Sequence, residues 1–584
     1  MKQIYIIAIL LLPHIGFSQL VIKPSSNHNS YIYVVDRMLF VEKEINLIAN
    51  SGSNAAPNIF LRDQSQLLQG NSNSINAGDG KISVFQEGVA TNFTYNYWSA
   101  PVIDPNPNSS FGSILFDPLE KTQSIAAIIT SEHNGTSNPL KISNKWIYKL
   151  SGTEYSDWEY VGDRFKVKPG EGFTMKGVSG TNLNVIIYGI VNNPGDNQRY
   201  DFRGRPNSGN YSLDIKEGDS KLIGNPYPSA LDLNYFLFEN TNTTGIAYFW
   251  DSKSTGSHFL KEYEGGYGAY SPGAGIYGYV PAVFNKYDGY GNTISNSGVT
   301  GNYYARRYSP IAQGFIVIGS KDGVINFKNE YRSYIKEDLI LSQFKSKGKK
   351  KKASVNEDYP LLRLNIGFHD KYVRQILLVL QDAATVGIDH ARDAINPEYL
   401  SSDAGWYMEE DNYLINVRPF DELEEIPLYI LLTEASEVTF EIAEIKNINA
   451  DVFLFDKVTG IYYNLKNTSP KLGLEAGEYL ERFKLTYTNK EFLFVNWEIV
   501  KDINNYNIFQ NNPDAVLEVR IPVRNTPVNI TLYDALGKKI AEKKNITNEQ
   551  LHEFPTRRLS KGLYIIKITN LNAAVISKKV IISN

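Results

Sequence analysis

The chain has 584 residues, a formal net charge of -4 and no cysteine. A single hydrophobic core cannot serve a chain of this length, so we expect several domains of roughly 100 to 200 residues each. The small net charge excludes a broad electrostatic field that would attract nucleic acid. The lack of cysteine excludes disulfides, cysteine catalysis, thiolate metal sites and an N-terminal lipoprotein, whose lipid is carried by cysteine.

The first residues combine one lysine, an apolar stretch from Ile4 to Leu12 and small residues before Gln19. This order is typical of a secretory signal peptide, which we predict over residues 1–18 with cleavage after Ser18. Its apolar core is far shorter than the roughly 20 residues that span a bilayer, and no later segment reaches that length. We therefore expect an exported mature chain without a membrane span.

Short runs of alternating apolar and polar residues, separated by Asn, Ser and Gly, fill most of the remaining chain. With 39 Tyr and 44 Gly, they predict an all-β, multidomain protein built from β-sandwich modules. At the N-terminus the pattern fits either stacked solenoid rungs or a small sandwich. The predicted divisions are an N-terminal β-rich region 19–93, a Gly- and Tyr-rich β domain 94–344, a Lys-rich linker 345–357, a β-sandwich 358–500, a linker 501–513 and a C-terminal domain 514–584.

Region 94–344 contains a loose internal repeat. The segments "NYWSAPV", "KWIYKL" and "PGEGFTMKG" are followed by "GNPYPSA", "IAYFWD" and "PIAQGFIVIG". Each set places small residues and proline after a strand, then an aromatic strand, then a Gly-Phe pair that starts another strand. The repeat predicts two similar half-units packed together.

Two local motifs predict turns and a helix. In "LIGNPYPSALD", residues 222–232, Pro226 ends a strand because proline has no N–H to donate. Ser229 and Asp232 then have the spacing of a capping box at the start of a short helix. We interpret this stretch as the end of a strand and the start of a helix rather than the edge of an active site. Further along, Val458-Thr459-Gly460 predicts a hairpin turn.

The last segment contains three short motifs in a fixed order, "LYDALGKK", "LSKGLY" and "SKKVIISN". In this order they resemble the type A C-terminal sorting domain of the Bacteroidetes type IX secretion system. The resemblance implies an Ig-like domain recognised by the type IX machinery, and a secreted or outer-surface location reached through the periplasm. The matching positions are Tyr533, Asp534, Gly537, Lys538, Leu559, Ser560, Gly562, Tyr564, Lys578 and Lys579.

Region 94–500 is also similar to an architecture found in flavobacterial secreted proteins of uncharacterised activity. The similarity is carried by stretches such as "YNYWSAPV", "IGNPYPSALD" and "ERFKLTYTN". It implies export and no particular reaction.

Three common catalytic and nucleotide-binding motifs are absent from the sequence. It contains no nucleophile elbow, no H-E-x-x-H and no P-loop, so we assign no catalytic, cofactor-binding or metal-binding residue. Acidic residues could hold Ca²⁺ through oxygen ligands, but they lack EF-hand spacing, and a solvated acidic edge is favoured. These acidic residues are Asp389, Asp393, Asp421, Glu422, Glu424 and Glu425.

Aromatic residues in and beside "HFLKEYEGGYGAY" form the candidate binding site. Flat rings on a glycine-rich segment can stack on sugar faces or on a partner surface, and the alternative is that they cover the core. We therefore expect a surface or extracellular binding or structural protein, adhesin-like, with polysaccharide or a cell-surface glycan as its partner. The alternative function is a secreted hydrolase of polysaccharide or protein. The candidate residues are Trp250, Tyr263, Tyr267 and Tyr270.

Overall fold

A computed structural model describes residues 20–583 apart from 53–55, 71–72, 74, 107, 188–189, 193–197, 339, 345–358, 370–371, 491–506, 522–526, 536, 548–550 and 571–574. The predicted signal peptide and the Lys-rich linker lie outside the described residues. The protein is 51% strand and 5% helix, which confirms the all-β class. A break between Thr486 and Tyr487 separates two compact units. Within the described ranges, no helix has the length and apolarity to cross a membrane.

The N-terminal strands form the rungs of a parallel β-solenoid, one of the two arrangements that the sequence left open. Each strand pairs in parallel with a strand one coil further along, for example Ile32–Val35 with Ile59–Arg62. Inward-facing residues such as Ile45, Leu47 and Leu67 are fully buried between the coils. The rungs are Leu20–Ile22, Ile32–Val35, Met38–Val41, Ile45–Leu47, Ile59–Arg62, Gln66–Gln69 and the start of Ile82–Gly88.

The last rung connects the solenoid to the next sheet. Ile82–Gly88 pairs in parallel with Ile59–Arg62 on one side and antiparallel with Gln198–Pro206 on the other. The solenoid core therefore continues into the region that follows it. The other strands of this seven-stranded sheet are Val102–Ile103, Leu115–Pro118 and Ser124–Ala126.

Each predicted half-unit of region 94–344 contains one equivalent antiparallel pair. Tyr95–Trp98 pairs with Phe173–Lys176 in the first half, and Ser220–Gly224 pairs with Gly314–Ile318 in the second. In both pairs, the residue three positions before the motif proline lies opposite the phenylalanine of the Gly-Phe pair. The two halves therefore share one strand register.

The two pairs are joined by reciprocal bridges. Trp98 of the first half bridges to Gln313 of the second, and Ile223 of the second half bridges to Glu171 of the first. Exchanging the halves exchanges the two bridges, so a local pseudo-two-fold axis relates them. The space beside this axis is where side chains of both halves meet.

A nine-stranded sheet forms the largest part of region 94–344. Its order begins with two strands of the first half and continues through the second half. The strands are Trp158–Tyr160, Tyr148–Gly152, Ser220–Gly224, Gly314–Ile318, Ala247–Ser252, Glu264–Tyr270, Val283–Tyr287 and Thr293–Thr300, with Tyr279–Val280 paired to Glu264–Tyr270. Smaller sheets comprise Ile128–Thr130, Thr136–Ser137 and Leu140–Ser143; Asn182–Ile187 and Ile190–Asn192; Tyr211–Ile215 and Gly323–Phe327; and Ala230–Asp232, Tyr308–Ser309 and Arg332–Ser333.

The helix predicted after the proline motif is confirmed and spans Leu233–Glu239. Its cap differs from the predicted capping box. Asp232 is the N-cap, and its Oδ1 accepts from the backbone N–H of Asn234 at 2.9 Å. Ser229 instead accepts a hydrogen bond from Nε of Arg332 at 3.1 Å. The prediction of Ser229 as cap was wrong because a buried arginine from a distant segment uses its hydroxyl.

The strands predicted for region 358–500 form one continuous twelve-stranded sheet up to Thr486. Its pairs are antiparallel except Tyr372–Leu380 with Asp411–Arg418. The predicted hairpin is confirmed, with Phe453–Asp456 paired to Ile461–Asn464 and Gly460 at a φ of 73°. The remaining strands are Leu361–Phe368, Ala394–Ile395, Asp403–Met408, Glu425–Leu432, Ser436–Lys446, Lys471–Leu474, Gly477–Tyr479 and Phe483–Thr486.

The second unit contains a seven-stranded sandwich. One sheet has three strands and the other has four, and both contribute to a core that includes Leu517, Ile530 and Ile566. The interval predicted as a linker, 501–513, contains the first strand of this sandwich. The strands are Asn507–Asn511, Val516–Arg520 and Leu551–Pro555, then Lys539–Ile546, Val528–Asp534, Gly562–Asn570 and Val575–Ile582.

Candidate functional site

A cleft of about 560 Å³ in the first unit, which we term the aromatic cleft, is rich in aromatic side chains. Eleven of its 25 lining residues are Tyr or Trp, which makes its walls flat and apolar with hydroxyl groups at their edges. Both half-units contribute, and Pro397 and Glu398 come from the region that follows them. The rings are Tyr95, Tyr97, Trp146, Tyr148, Tyr155, Trp158, Tyr248, Trp250, Tyr263, Tyr267 and Tyr287.

A ladder of rings crosses the cleft from one half-unit to the other. Trp250 and Tyr267 lie opposite each other on neighbouring strands, with ring centroids 5.2 Å apart. The hydroxyl oxygens of Tyr267 and Tyr97 are 2.8 Å apart, and the Tyr97 ring lies 5.8 Å from that of Trp158. Burial raises the pKa of both tyrosines, so their hydroxyls stay protonated. The ladder therefore offers ring faces and neutral hydroxyl groups.

The internal repeat places equivalent tyrosines in the wall. Tyr148 lies in "KWIYKL" and Tyr248 in "IAYFWD", the aromatic segments of the two halves. Both tyrosines line the cleft. The backbone N–H of Tyr148 donates to Oγ1 of Thr174 at 3.0 Å, whereas Tyr248 lies opposite Ile316. The hydroxyl of Tyr248 donates to the carbonyl of Ile395 at 3.0 Å. That bond ties the half-units to the segment that carries Glu398.

One end of the cleft is built around Lys176. Its Nζ donates to the hydroxyl of Tyr263 at 2.5 Å, lies 3.0 Å from Nδ1 of His258, and sits 3.7 Å from the ring centre of Trp146. Tyr263 also donates to the carbonyl of Phe93. Burial lowers the pKa of Lys176 to about 7, and the ring face beneath the amine favours its charged form. The Lys176 amine thus already contacts Tyr263, His258 and Trp146.

Glu398 also lines the cleft. Tyr287 donates to its Oε1 at 2.5 Å and also donates to the carbonyl of Gly265 at 3.0 Å. Glu398 is partly exposed as a residue, but its Oε2 is closed to water and has no partner at hydrogen-bond distance and angle among the described residues. Burial raises the pKa of this carboxyl group to about 7, and Tyr287 and the nearby amide of Asn285 offset only part of the rise.

Three of the four aromatic residues predicted as a site line the cleft: Trp250, Tyr263 and Tyr267. Tyr270 does not. It is fully buried in a separate core, where its hydroxyl donates to Oδ1 of Asn234 at 2.7 Å. Side chains alternate along a strand, so Tyr267 and Tyr270, three positions apart, lie on opposite faces.

Sequence reasoning missed most of the cleft. Tyr95, Tyr97, Trp158 and Glu398 lie far from the predicted segment in the chain, and no local pattern links them to it. The internal repeat was the one available signal. It predicted two packed half-units, and a junction between such halves is a common position for a ligand cleft.

The acidic residues considered for calcium mostly have protein partners. Oε1 of Glu424 lies 2.6 Å from Arg418, and Oε2 of Glu425 lies 2.9 Å from Lys484. The carboxylate of Asp393 accepts from the backbone N–H of Asp389 at 2.7 Å. In the part of the chain that the structure describes, no group of three or more His, Asp or Glu side chains could hold a metal ion. The solvated acidic edge favoured from the sequence stays a prediction.

The first sorting motif forms a turn at the end of Val528–Asp534. Oδ1 of Asp534 accepts from the backbone N–H of Lys538 at 2.9 Å, and Gly537 has a φ of 82°. This left-handed conformation explains the glycine, because a side chain would strain it. Tyr533 is half-buried and Lys538 is exposed.

The second motif forms the turn before Gly562–Asn570. The hydroxyl of Tyr564 donates to the carbonyl of Ser560 at 3.0 Å, and Leu559 packs against the sandwich core. Tyr564 lies opposite Asp534, so the first two motifs meet in the folded domain.

The third motif lies on the last strand. Lys578 and Lys579 are exposed, and Nζ of Lys578 donates to the carbonyl of Ile508 at 3.3 Å. That contact links the last strand to the first strand of the sandwich. The motif residues thus hold together the turns and strands of one domain.

Comparisons with known proteins agree with this division. Residues 26–487 match a family described as a domain of unknown function, DUF8693, and residues 511–583 match the secretion system C-terminal sorting domain. No curated protein matches the chain. Among solved structures, dimeric latent PorU from Porphyromonas gingivalis is similar at 9% identity and a TM-score of 0.11, covering 66% of this chain and 35% of that one.

The chain thus spans about a third of the length of that PorU chain, and a likeness of this size carries no inference about fold or function. The match to the sorting domain confirms the resemblance drawn from the C-terminal motifs, and it indicates export by type IX secretion. The family match covers the solenoid, the aromatic cleft and the twelve-stranded sheet. The chain therefore belongs to the DUF8693 family of unknown function and carries a type IX secretion sorting domain at its C-terminal end.

Proposed function

We propose that the protein is a surface or extracellular binding protein, adhesin-like in its use, that holds a glycan in the aromatic cleft. The observation that carries the proposal is a cleft of about 560 Å³ in which eleven of 25 lining residues are Tyr or Trp. Sugar rings present apolar faces with polar edges, which suit flat aromatic walls bordered by hydroxyl groups. The volume lies within the range typical of small-ligand sites. The sorting domain delivers the protein to where polysaccharides and surface glycans occur.

Removing individual rings tests the proposal. We expect Trp158→Ala and Tyr267→Ala each to weaken binding of neutral oligosaccharides by about tenfold, because each removes a stacking face. Glycan-array screening followed by calorimetry on the full exported protein measures the loss. Tyr235→Ala is the matched control, since this ring is 59% exposed and lies outside the cleft. Binding that survives both cleft variants, or a wild-type protein that retains no glycan, would contradict the proposal.

A second candidate is a secreted polysaccharide hydrolase, and Glu398 is the observation that favours it. A carboxyl group whose burial raises its pKa to about 7 can serve as a general acid at neutral pH. A glycosidase also needs a second carboxylate, and the other carboxylate in the described lining, Glu154, lies on an exposed segment. The chain length of a bound oligosaccharide after prolonged incubation separates the two functions, because a binding protein leaves it intact.

A further inference from the structure

The charges that line the aromatic cleft are of one sign. Among the described lining residues, Glu154 and Glu398 are acidic, and no Lys or Arg side chain takes part. His258 also lines the cleft, but burial and the neighbouring Lys176 lower its pKa to about 4, which keeps it neutral. An anionic ligand would find no counter-charge in this lining, whereas a cationic ligand would.

The amine of Lys176 does not balance Glu398. It lies outside the lining, behind the rings of Trp146 and Tyr263, and these rings and His258 already contact it. Glu398 contacts Tyr287, which lies on the strand next to the one that follows Tyr263. Lys176 is nonetheless not among the charged groups that most affect the pKa of Glu398.

Glu398 has no oppositely charged partner of its own. Tyr287 donates to Oε1, and the nearby amide of Asn285 also favours the charged form, but both groups are neutral. The charged groups that act on this carboxyl group are Arg374 and Asp403, which pair with each other at 2.7 Å. An ionised Glu398 would thus leave one negative charge in the cleft wall without a cation of its own.

We propose that the aromatic cleft selects a sugar unit that carries a positively charged amine, with the rings of Trp250 and Tyr267 against the cation and Glu398 as the balancing charge. Aromatic faces attract cations, most strongly those of Trp. Glu398 lines the cleft, but its Oε2 is closed to water, so this oxygen acts on the ligand through its charge rather than by direct contact. This inference rests on the proposed glycan function and names the class of sugar.

Three matched tetrasaccharides test the inference on the full exported protein. Each has a β-1,4-linked glucose backbone and carries a hydroxyl, an acetamide or a trimethylammonium group at C2. The acetamide and trimethylammonium groups are similar in bulk and differ in charge. We expect calorimetry to show about tenfold tighter binding of the trimethylammonium form than of the acetamide form.

The pH dependence has a defined sign. Burial raises the pKa of Glu398 to about 7, and the trimethylammonium group does not titrate. The preference for the charged tetrasaccharide should therefore grow as pH rises through this value, because the carboxyl group becomes charged. If the protonated acid instead donated to a neutral sugar, binding of the hydroxyl form would weaken over the same range. That result would overturn the proposal.

Two variants assign the effect to Glu398. Glu398→Gln should abolish both the preference and its pH dependence, whereas Glu481→Gln, at an exposed position outside the cleft, should change affinity less than about twofold. Tyr287→Phe removes a donor that favours the charged carboxylate. The preference for the trimethylammonium form should therefore appear only at a higher pH than in the wild type. Thermal melts check folding, and Tyr287→Phe carries the test if Glu398→Gln fails to fold.

The outcomes separate the inference from the function on which it rests. Equal binding of all three tetrasaccharides, or an unchanged preference in Glu398→Gln, overturns the inference and leaves the glycan function standing. Binding of none of them, by a folded wild-type protein that also retains no glycan on an array, overturns both.

Discussion

Deletion of residues 507–584 is expected to trap the protein in the periplasm of a host that has type IX secretion. The deletion starts at 507 because Asn507–Asn511 is a strand of the sorting-domain sandwich, paired with Val516–Arg520. Its Ile508 lies in the same core as Ile566. A deletion that began at 514 would leave this strand behind without its partner. Cell fractionation and immunoblotting measure the distribution.

A point variant distinguishes a folded signal from a linear one. Ile566 is fully buried, so Ile566→Asp places an unpaired charge in the sandwich core and should unfold the domain. If the secretion machinery reads the folded domain, this variant should be retained like the deletion. Lys544→Asp is the control, because that side chain is 64% exposed and its change should leave export intact. Export of Ile566→Asp at the wild-type level would contradict recognition of a folded domain.

The sequence predicted correctly those elements whose structure depends on residues close together in the chain. The Val458-Thr459-Gly460 hairpin and the Leu233–Glu239 helix form as expected, because turn glycines and caps act within a few residues. The C-terminal motifs could be recognised for a similar reason. Gly537 is required by a backbone turn, and Tyr564 bonds within its own turn to Ser560.

The aromatic cleft could not be predicted in the same way, because its groups are distant in the chain. Tyr97 meets Tyr267 across 170 residues, and Tyr287 meets Glu398 across 111. The alternation of side chains along a strand predicts the face of the sheet on which each ring lies. It does not predict which strand will be the neighbour of that strand. Trp250 and Tyr267 were identified together because they are near in sequence and become cross-strand neighbours.

The position of Glu398 shows a further limit. In the sequence it is an ordinary acidic residue between Pro397 and Tyr399, and nothing there indicates burial. It lies between Asn396 and Leu400, and both of these residues donate to the carboxylate of Asp403, which pairs with Arg374. We therefore expect this buried ion pair to affect both the stability of the first unit and the position of Glu398.

Asp403→Ala is expected to destabilise the first unit by about 3–5 kcal/mol, because it leaves the buried charge of Arg374 without its partner. The side chains of Arg374 and Asp403 are 3% and 0% exposed, and the two nitrogen–oxygen distances are 2.7 and 2.9 Å. Chemical denaturation of the full chain, followed by tryptophan fluorescence, measures the change. Glu481→Gln is the control, since its pair with Lys457 has side chains 65% and 58% exposed and contributes at most about 1 kcal/mol.

Loss of the Asp403 charge should also loosen the loop that carries Glu398. The carboxylate of Asp403 accepts from Nδ2 of Asn396 at 2.8 Å and from the backbone N–H of Leu400 at 3.0 Å, so its bonds fall on both sides of Glu398. In Asp403→Asn, which keeps the shape and loses the charge, we expect faster amide hydrogen exchange over 396–400 than in the wild type. Unchanged exchange there, or a loss of stability no larger than that of Glu481→Gln, would show that the pair does not hold this loop. Glu398 would then be positioned by Tyr287 alone.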